Sequence, residues 1–241
     1  MDASEASNRE SLDDRLAPLA ALAEPARRRL YDFVLRQAEP VSRDQAAAGV
    51  GVPRHVAKFH LDRLVDGGLL DVEYRRPPGR GGPGAGRPAK LYRRSQRTLE
   101  VSVPPRRYEV VARLLAEAVS ETGRTGVPLP EAAAGVAHAA GLELGREARH
   151  RAGPRASRSA VVAAGLESLA VQGFEPVAEP TGIALRNCPF AVLARDYTEL
   201  VCGLNLRLME GLVAGLDRPD LTARLEPTPG TCCVRLVPSA E

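Results

Sequence analysis

Between Ser42 and Leu70 the chain carries helix start and stop signals too closely spaced for most folds. Ser42, followed by Arg43, Asp44 and Gln45, has the form of an N-cap with Gln three residues on. It opens a short helix through Ala48 that Gly49 is expected to stop. After the turn Val50-Gly51-Val52, Pro53 starts a longer helix whose Val56, His60, Leu61, Leu64 and Val65 share one face, and Gly67-Gly68 ends it. A short helix, a tight Gly-containing turn and a second helix of about four turns form a helix-turn-helix, whose second helix lies in a major groove. The outward side of that helix presents Arg54, His55, Lys58 and Phe59. Arg54 and Lys58 are four apart, so both reach one groove, where Arg pairs bidentately with guanine and Lys reaches base edges or phosphate. The competing reading is a helical core motif with solvated charges, and the following segment weighs against it.

Leu69 to Tyr74 alternates as a strand, and Lys90-Leu91-Tyr92-Arg93 can return beside it. The connection is dense in Gly, Pro and Arg, so the pair reads as a hairpin with a long basic loop, a wing. Arg75, Arg76, Arg80, Arg87, Lys90, Arg93 and Arg94 fall in this stretch with no acidic residue among them. A Gly- and Pro-rich loop cannot bury its backbone, whereas a flexible arginine loop can follow phosphates or enter a narrow minor groove. The other reading is a solvated linker that orders on DNA. Upstream, Leu16 to Leu35 reads as two helices, the second starting at Pro25.

The rest of the composition agrees. Only 4% of the 241 residues are aromatic and none is Trp, so Leu, Val and Ala must fill the cores, which favours packed helices over a β-sandwich. The length fits two domains. Residues 1–107 hold 20 Lys and Arg against 14 Asp and Glu, net +6, while the remainder holds 13 against 16, net −3. A basic surplus confined to one half points to a nucleic-acid-binding domain joined to something else. No apolar run is long enough to span a membrane, and the polar start has no signal-peptide segment, so a cytoplasmic protein is expected.

We expect a mainly α protein with an α+β part: a disordered N-terminus (1–14), a winged helix-turn-helix domain (15–97), a linker (98–108) and a C-terminal α+β sensor and dimerisation domain (109–241). In the last of these, Tyr108 to Ser120, Pro130 to His150, Arg155 to Gln172 and Ala191 to Gly215 read as helices. Phe174 to Ala178, Gly182 to Arg186, Thr222 to Leu225 and Cys233 to Val237 read as short strands.

All four cysteines lie in the last quarter: Cys188, Cys202, Cys232 and Cys233. Thirteen residues separate the first two and twenty-nine separate Cys202 from Cys232, unlike the short-loop spacing of zinc fingers or ferredoxins. Distant thiolates can still converge on a soft metal or an iron–sulfur cluster. Adjacent cysteines on a regular strand point to opposite faces, so Cys232 and Cys233 would both ligate only from an irregular turn. A metal or cluster site, a thiol–disulfide sensor and buried structural thiols all remain open on spacing alone. His138, His150, Asp196 and Glu199 read as solvated or core residues.

Two stretches carry a resemblance. Pro53 to Leu70, followed by Gly86-Arg87-Pro88-Ala89-Lys90-Leu91-Tyr92, resembles winged-helix regulators of the ArsR and DeoR groups, in particular the SufR-like, iron–sulfur-sensing branch. Asn187-Cys188-Pro189-Phe190, Val201-Cys202 and Cys232-Cys233-Val234 are similar to the cysteine pattern of that branch. The resemblance implies a transcriptional repressor that binds a double-stranded DNA operator. A homodimer is expected because paired half-sites raise specificity. The alternative of another class is an iron–sulfur or thiol enzyme with an accessory DNA-binding domain, but no Ser/His/Asp set, activated Cys/His pair or cofactor loop supports it, so a protein that is not an enzyme is expected. It further implies a C-terminal 4Fe-4S or 2Fe-2S cluster held by Cys188, Cys202, Cys232 and Cys233, with zinc or no metal as the alternative. Arg43, Arg54, His55, Lys58, Phe59, Arg75, Arg76, Arg80, Arg87 and Lys90 are the expected DNA contacts. The chain departs from the pattern where a further cysteine often stands: Arg224 and Glu226 occupy that region, and the last position is doubled.

Overall fold

A computed structural model describes residues 12–75 and 88–239. The chain divides into two compact units between Val101 and Ser102. Of the stretch read as a disordered N-terminus, residues 1–11 lie outside the described residues, and Leu12 to Asp14 open a helix.

The first unit runs α1 (Leu12–Ala21), α2 (Pro25–Leu35), β1 (Val41–Ser42), α3 (Arg43–Val50), α4 (Arg54–Asp66), β2 (Leu70–Arg75) and β3 (Ala89–Arg94). Glu24 caps α2, its carboxylate accepting from the Ala26 and Arg27 amides at 3.1 and 2.6 Å. Ser42 and Gln45 form the reciprocal capping box that starts α3. The helix does not stop at Gly49. It continues to Val50 and closes on Gly51, whose φ of 71° is the left-handed conformation that glycine adopts without penalty. Gly49 serves packing instead, since a Cβ there would stand 2.1 Å from Phe33 Cε2. Pro53 is the N-cap of α4 rather than its first residue. The strands form one antiparallel sheet in the order β1-β3-β2, with Leu70 opposite Arg94 and Arg75 opposite Ala89. The two-residue β1, too short to show a periodicity, pairs Val41 with Tyr92. Leu30, Leu61, Leu64 and Leu70 are buried under this sheet and helix set with Tyr92. Each such leucine contributes about 1.5–3 kcal/mol by leaving water.

The second unit runs α5 (Tyr108–Thr125), α6 (Leu129–Ala152), α7 (Arg158–Val171), β4 (Pro176–Glu179), β5 (Gly182–Leu185), α8 (Ala191–Asp196), α9 (Thr198–Gly215), β6 (Leu221–Leu225) and β7 (Val234–Pro238). The single helix expected over 191–215 is two, broken at Tyr197, whose φ of −131° and ψ of 52° are not helical. The four strands form an antiparallel sheet in the order β4-β5-β7-β6. Helices α6 and α9 cross at backbone contact through glycines four apart on each. A Cβ on Gly141 would lie 1.9 Å from the Leu208 carbonyl oxygen, and one on Gly211 would lie 2.0 Å from that of His138. This close crossing holds α9 in place, and α9 in turn packs against β6 and β7. The N-terminal part of α9, the residues after β5 and those just before β7 come together there, and the cysteines lie on these three segments.

Candidate nucleic-acid interface and thiol site

The residues expected to read DNA lie exposed on the helix-turn-helix. Arg54, His55, Lys58 and Phe59 are exposed on the first two turns of α4, while Ala57, His60, Leu61 and Leu64 are buried on the opposite side. Arg54 pairs with Asp44 in the first turn of α3, which aims its guanidinium across the gap between the two helices. Arg43 lies 3.5 Å from the same carboxylate. Phe59 is 54% exposed, with the Arg63 guanidinium 5.7 Å from its ring centroid. His60 fixes the helix from behind: its Nδ1 accepts from Arg27 Nε at 3.3 Å, and its Nε2 lies 3.4 Å from Glu24 Oε2.

The wing strands are tied to this helix. Lys90 Nζ donates to Asp62 Oδ1 at 2.6 Å, and the Tyr92 hydroxyl donates to the same oxygen at 3.0 Å. Burial opposes the charge on Asp62, but the bonds from Lys90 and Tyr92 outweigh it and hold the carboxyl below its usual range. Burial likewise disfavours charged Lys90, and the bond to Asp62 reverses that, raising the ammonium. Lys90 therefore positions the wing against α4. Arg75 is paired with Glu73 at 2.8 Å and with Glu39 at 3.4 Å. Arg76, Arg80 and Arg87 lie outside the described residues.

In the second unit the four free cysteines converge. Cys188 follows β5, Cys202 lies in the first turns of α9, and Cys232-Cys233 precedes β7 in irregular backbone. The Cys232 amide donates to the Leu185 carbonyl at 2.8 Å, and the Cys233 carbonyl accepts from the Glu226 amide at 2.8 Å. Off the strand, the adjacent pair escapes the alternation that would send one side chain away. Cys232 contacts Cys188, Cys233 contacts Cys202, and the pair contact each other. Hydrogen bonding to Cys232 and burial push the Cys188 thiol far up. On Cys232 the bond with Cys188 acts downward, but Cys233 and burial prevail and take it up to about 11. Burial raises Cys202 against the lowering contact with Cys233. Neutral thiols are thus favoured until a cation reverses the balance.

Among the described residues no three His, Cys, Asp or Glu side chains surround a common centre. The sulfurs form a chain of contacts, and rotation about their side-chain torsions is what would turn them to one ion. The donor set itself, four soft sulfurs with a buried amide donating to one of them, fits a thiophilic metal or an iron–sulfur cluster. Asp196 and Glu199 are exposed, as a solvated helix face would be.

Sequence reasoning missed three residues around these thiols. Asn205, 2% exposed, donates from Nδ2 to Cys232 Sγ at 3.0 Å. Its signal was a polar residue three after Cys202, on the same face of an apolar helix. Asn187, also buried, donates to the Pro105 and Gly173 carbonyls at 3.0 and 2.5 Å. Arg106 Nη1 donates to Asn187 Oδ1 at 2.6 Å and to the Cys188 carbonyl at 3.3 Å. The Arg107 amide adds a bond to the Pro189 carbonyl at 3.1 Å. The segment 105–107, just after the division between the units and just before α5, is thereby clasped to the residues flanking Cys188.

A family model described as a helix-turn-helix domain, of the winged type found in ArsR-type regulators, matches residues 22–73. That range runs from before α2 into β2 and contains Arg43, Arg54, His55, Lys58 and Phe59. No curated protein matches the chain. The fold and the family model together give a helix-turn-helix domain, which suggests a DNA-binding transcriptional regulator, joined to a second unit of mixed helix and strand. No helix among the described residues is long and apolar enough to cross a membrane.

Proposed function

We propose that this protein is a cytoplasmic, homodimeric transcriptional repressor of the SufR-like type, whose operator affinity is set by an iron–sulfur cluster held by Cys188, Cys202, Cys232 and Cys233. The reading rests on one observation above all: four thiols from three distant segments form a chain of neighbours, Cys188–Cys232–Cys233–Cys202, beside a buried amide donor. Dimerisation follows from the reading task, because paired half-sites about one helical turn apart give specificity that one module lacks.

Arg54 reads the major groove, Lys58 reaches phosphate beside it, Phe59 packs on it, and the wing arginines hold the backbone. When bound, a cluster supplies redox- and oxygen-sensitive bonds joining the β5 end, α9 and the β7 start. The chain's own part is mechanical. Cys188 is clasped through Asn187 to Arg106, so movement at Cys188 reaches the segment that enters from the DNA-binding unit. Such a switch operates only if the DNA-competent and incompetent forms hold the ligand differently.

The test is an ultraviolet–visible spectrum of anaerobically purified protein, with iron and sulfide assays on the same sample. A brown protein with broad visible absorption, bleached by air, is expected. A protein that stays colourless after incubation with iron and sulfide contradicts the reading. The cysteine contacts Cys188–Cys232 and Cys202–Cys233 favour a second reading, a thiol–disulfide regulator. That protein would be colourless and would lose titratable thiols on exposure to peroxide.

A further inference from the structure

Among the described residues three polar side chains are buried in the second unit, and two are accounted for. Ser168 donates to the Ala164 carbonyl and accepts from Arg151. Asn187 uses both its amide hydrogens and its oxygen in the clasp. Asn205 is different: its one hydrogen bond goes to a sulfur, and its Oδ1 is buried without a partner. It stands among Val201, Leu204, Leu208 and Met209, all buried on α9. A carboxamide in such surroundings is costly when its partner is a neutral thiol, a poor acceptor. It suits a thiolate, because a hydrogen bond to an ionised acceptor is roughly twice as strong. The amide is thus matched to a charged Cys232 sulfur, the form that ligates a metal.

We infer that Asn205 belongs to the thiol site as the donor that orients and stabilises Cys232 as a thiolate ligand, so that α9 supplies both a ligand, Cys202, and, one turn later, the support of the ligand facing it. The inference rests on the thiol-site reading above and deepens it. Outer donors of this kind fix a ligand's orientation, and N–H to sulfur bonds tune the potential of the group it holds. The ligand class is a thiophilic cation or an iron–sulfur cluster. A hard, oxygen-seeking cation gains nothing from a carboxamide that donates to sulfur.

Cobalt(II) added to the anaerobic full-length protein is the probe, read by its thiolate-to-cobalt charge-transfer absorption and by its retention against a chelator. Asn205→Leu keeps the shape and removes the donor; Asn205→Asp puts a carboxylate against the sulfur; Asn205→Ser keeps a donor. With unchanged circular dichroism, the Leu and Asp variants are expected to hold cobalt about 10- to 100-fold more weakly than the wild type, and the Ser variant to recover part of the loss. Wild-type retention in Asn205→Leu overturns the inference alone, leaving the thiol site standing. Should Asn205→Leu fail to fold, equal retention in the Asp and Ser variants overturns it in the same way. A wild type that takes up neither cobalt nor a cluster from iron and sulfide overturns the thiol-site reading and this inference with it.

Discussion

Lys90 Nζ and Asp62 Oδ1 lie 2.6 Å apart, joining the return strand β3 to α4. Their side chains are 36% and 34% exposed, so the pair is solvent-screened and Asp62→Asn is expected to cost only about 0.5–1 kcal/mol. The pH dependence has a definite sign. Asp62 titrates below 3.8 when folded, so its contribution is full above that value and is lost as pH falls through the lowered one. Lys90 and Tyr92 are raised from 10.5 and 10.0, so theirs is full below pH 10 and is lost as pH rises past the raised values. Denaturation of wild type and Asp62→Asn at pH 3, 7 and 11 checks this: the difference between them should be largest at pH 7.

Lys58 and Arg54 should separate affinity from specificity. Lys58→Ala is expected to weaken binding about uniformly across sequences and reduce the salt slope by about 1, as loss of a phosphate contact does. Arg54→Ala should cost about 1–3 kcal/mol and relax preference at one base pair. Fluorescence anisotropy on an operator and its single-base variants, at several salt concentrations, measures both.

The α6–α9 crossing predicts opposite outcomes for two glycines on one helix. Gly141→Ala would place a methyl 1.9 Å from the Leu208 carbonyl oxygen and is expected to destabilise by about 3 kcal/mol. Gly135 is exposed with nothing within 4 Å of the added methyl, so Gly135→Ala should be neutral or add up to about 1 kcal/mol. Urea denaturation of the two variants tests the pair together.

Arg106→Ala removes the guanidinium bonds of the clasp to Asn187 and the Cys188 carbonyl, leaving the Asn187–Pro105 and Arg107–Pro189 bonds, without touching a thiol. Metal retention should stay within about twofold of wild type, while the dependence of DNA affinity on site occupancy should collapse. Equal loss of retention and coupling would make Arg106 a structural support of the site instead.

The first unit was legible because its signals are local. The Ser42 capping box, the Gly51 turn and the apolar face of α4 each act within a few residues, and the hairpin needs only alternation on either side of a turn. Gly49 was misread as a stop because its reason, the Phe33 ring, is sixteen residues away in sequence. In the second unit the helices and strands were visible, but not the break at Tyr197, where neither glycine nor proline marks the change. The cysteines gave the residue types of the candidate site and not its assembly. That Cys232 and Cys233 sit just before β7 rather than on it depends on strand register, and that Asn205 meets Cys232 depends on how α9 packs on the sheet. Both are properties of tertiary packing that no window of sequence contains.

In the proposed function the thiol site controls DNA binding. The most direct measurement is the affinity of anaerobic protein for DNA from its own promoter, loaded with iron and sulfide and then emptied by a chelator, at one salt concentration. The account predicts a change of at least about tenfold, within the usual range of coupling between two sites, that vanishes when Cys188 is replaced. Equal affinities for the loaded and emptied protein would contradict it.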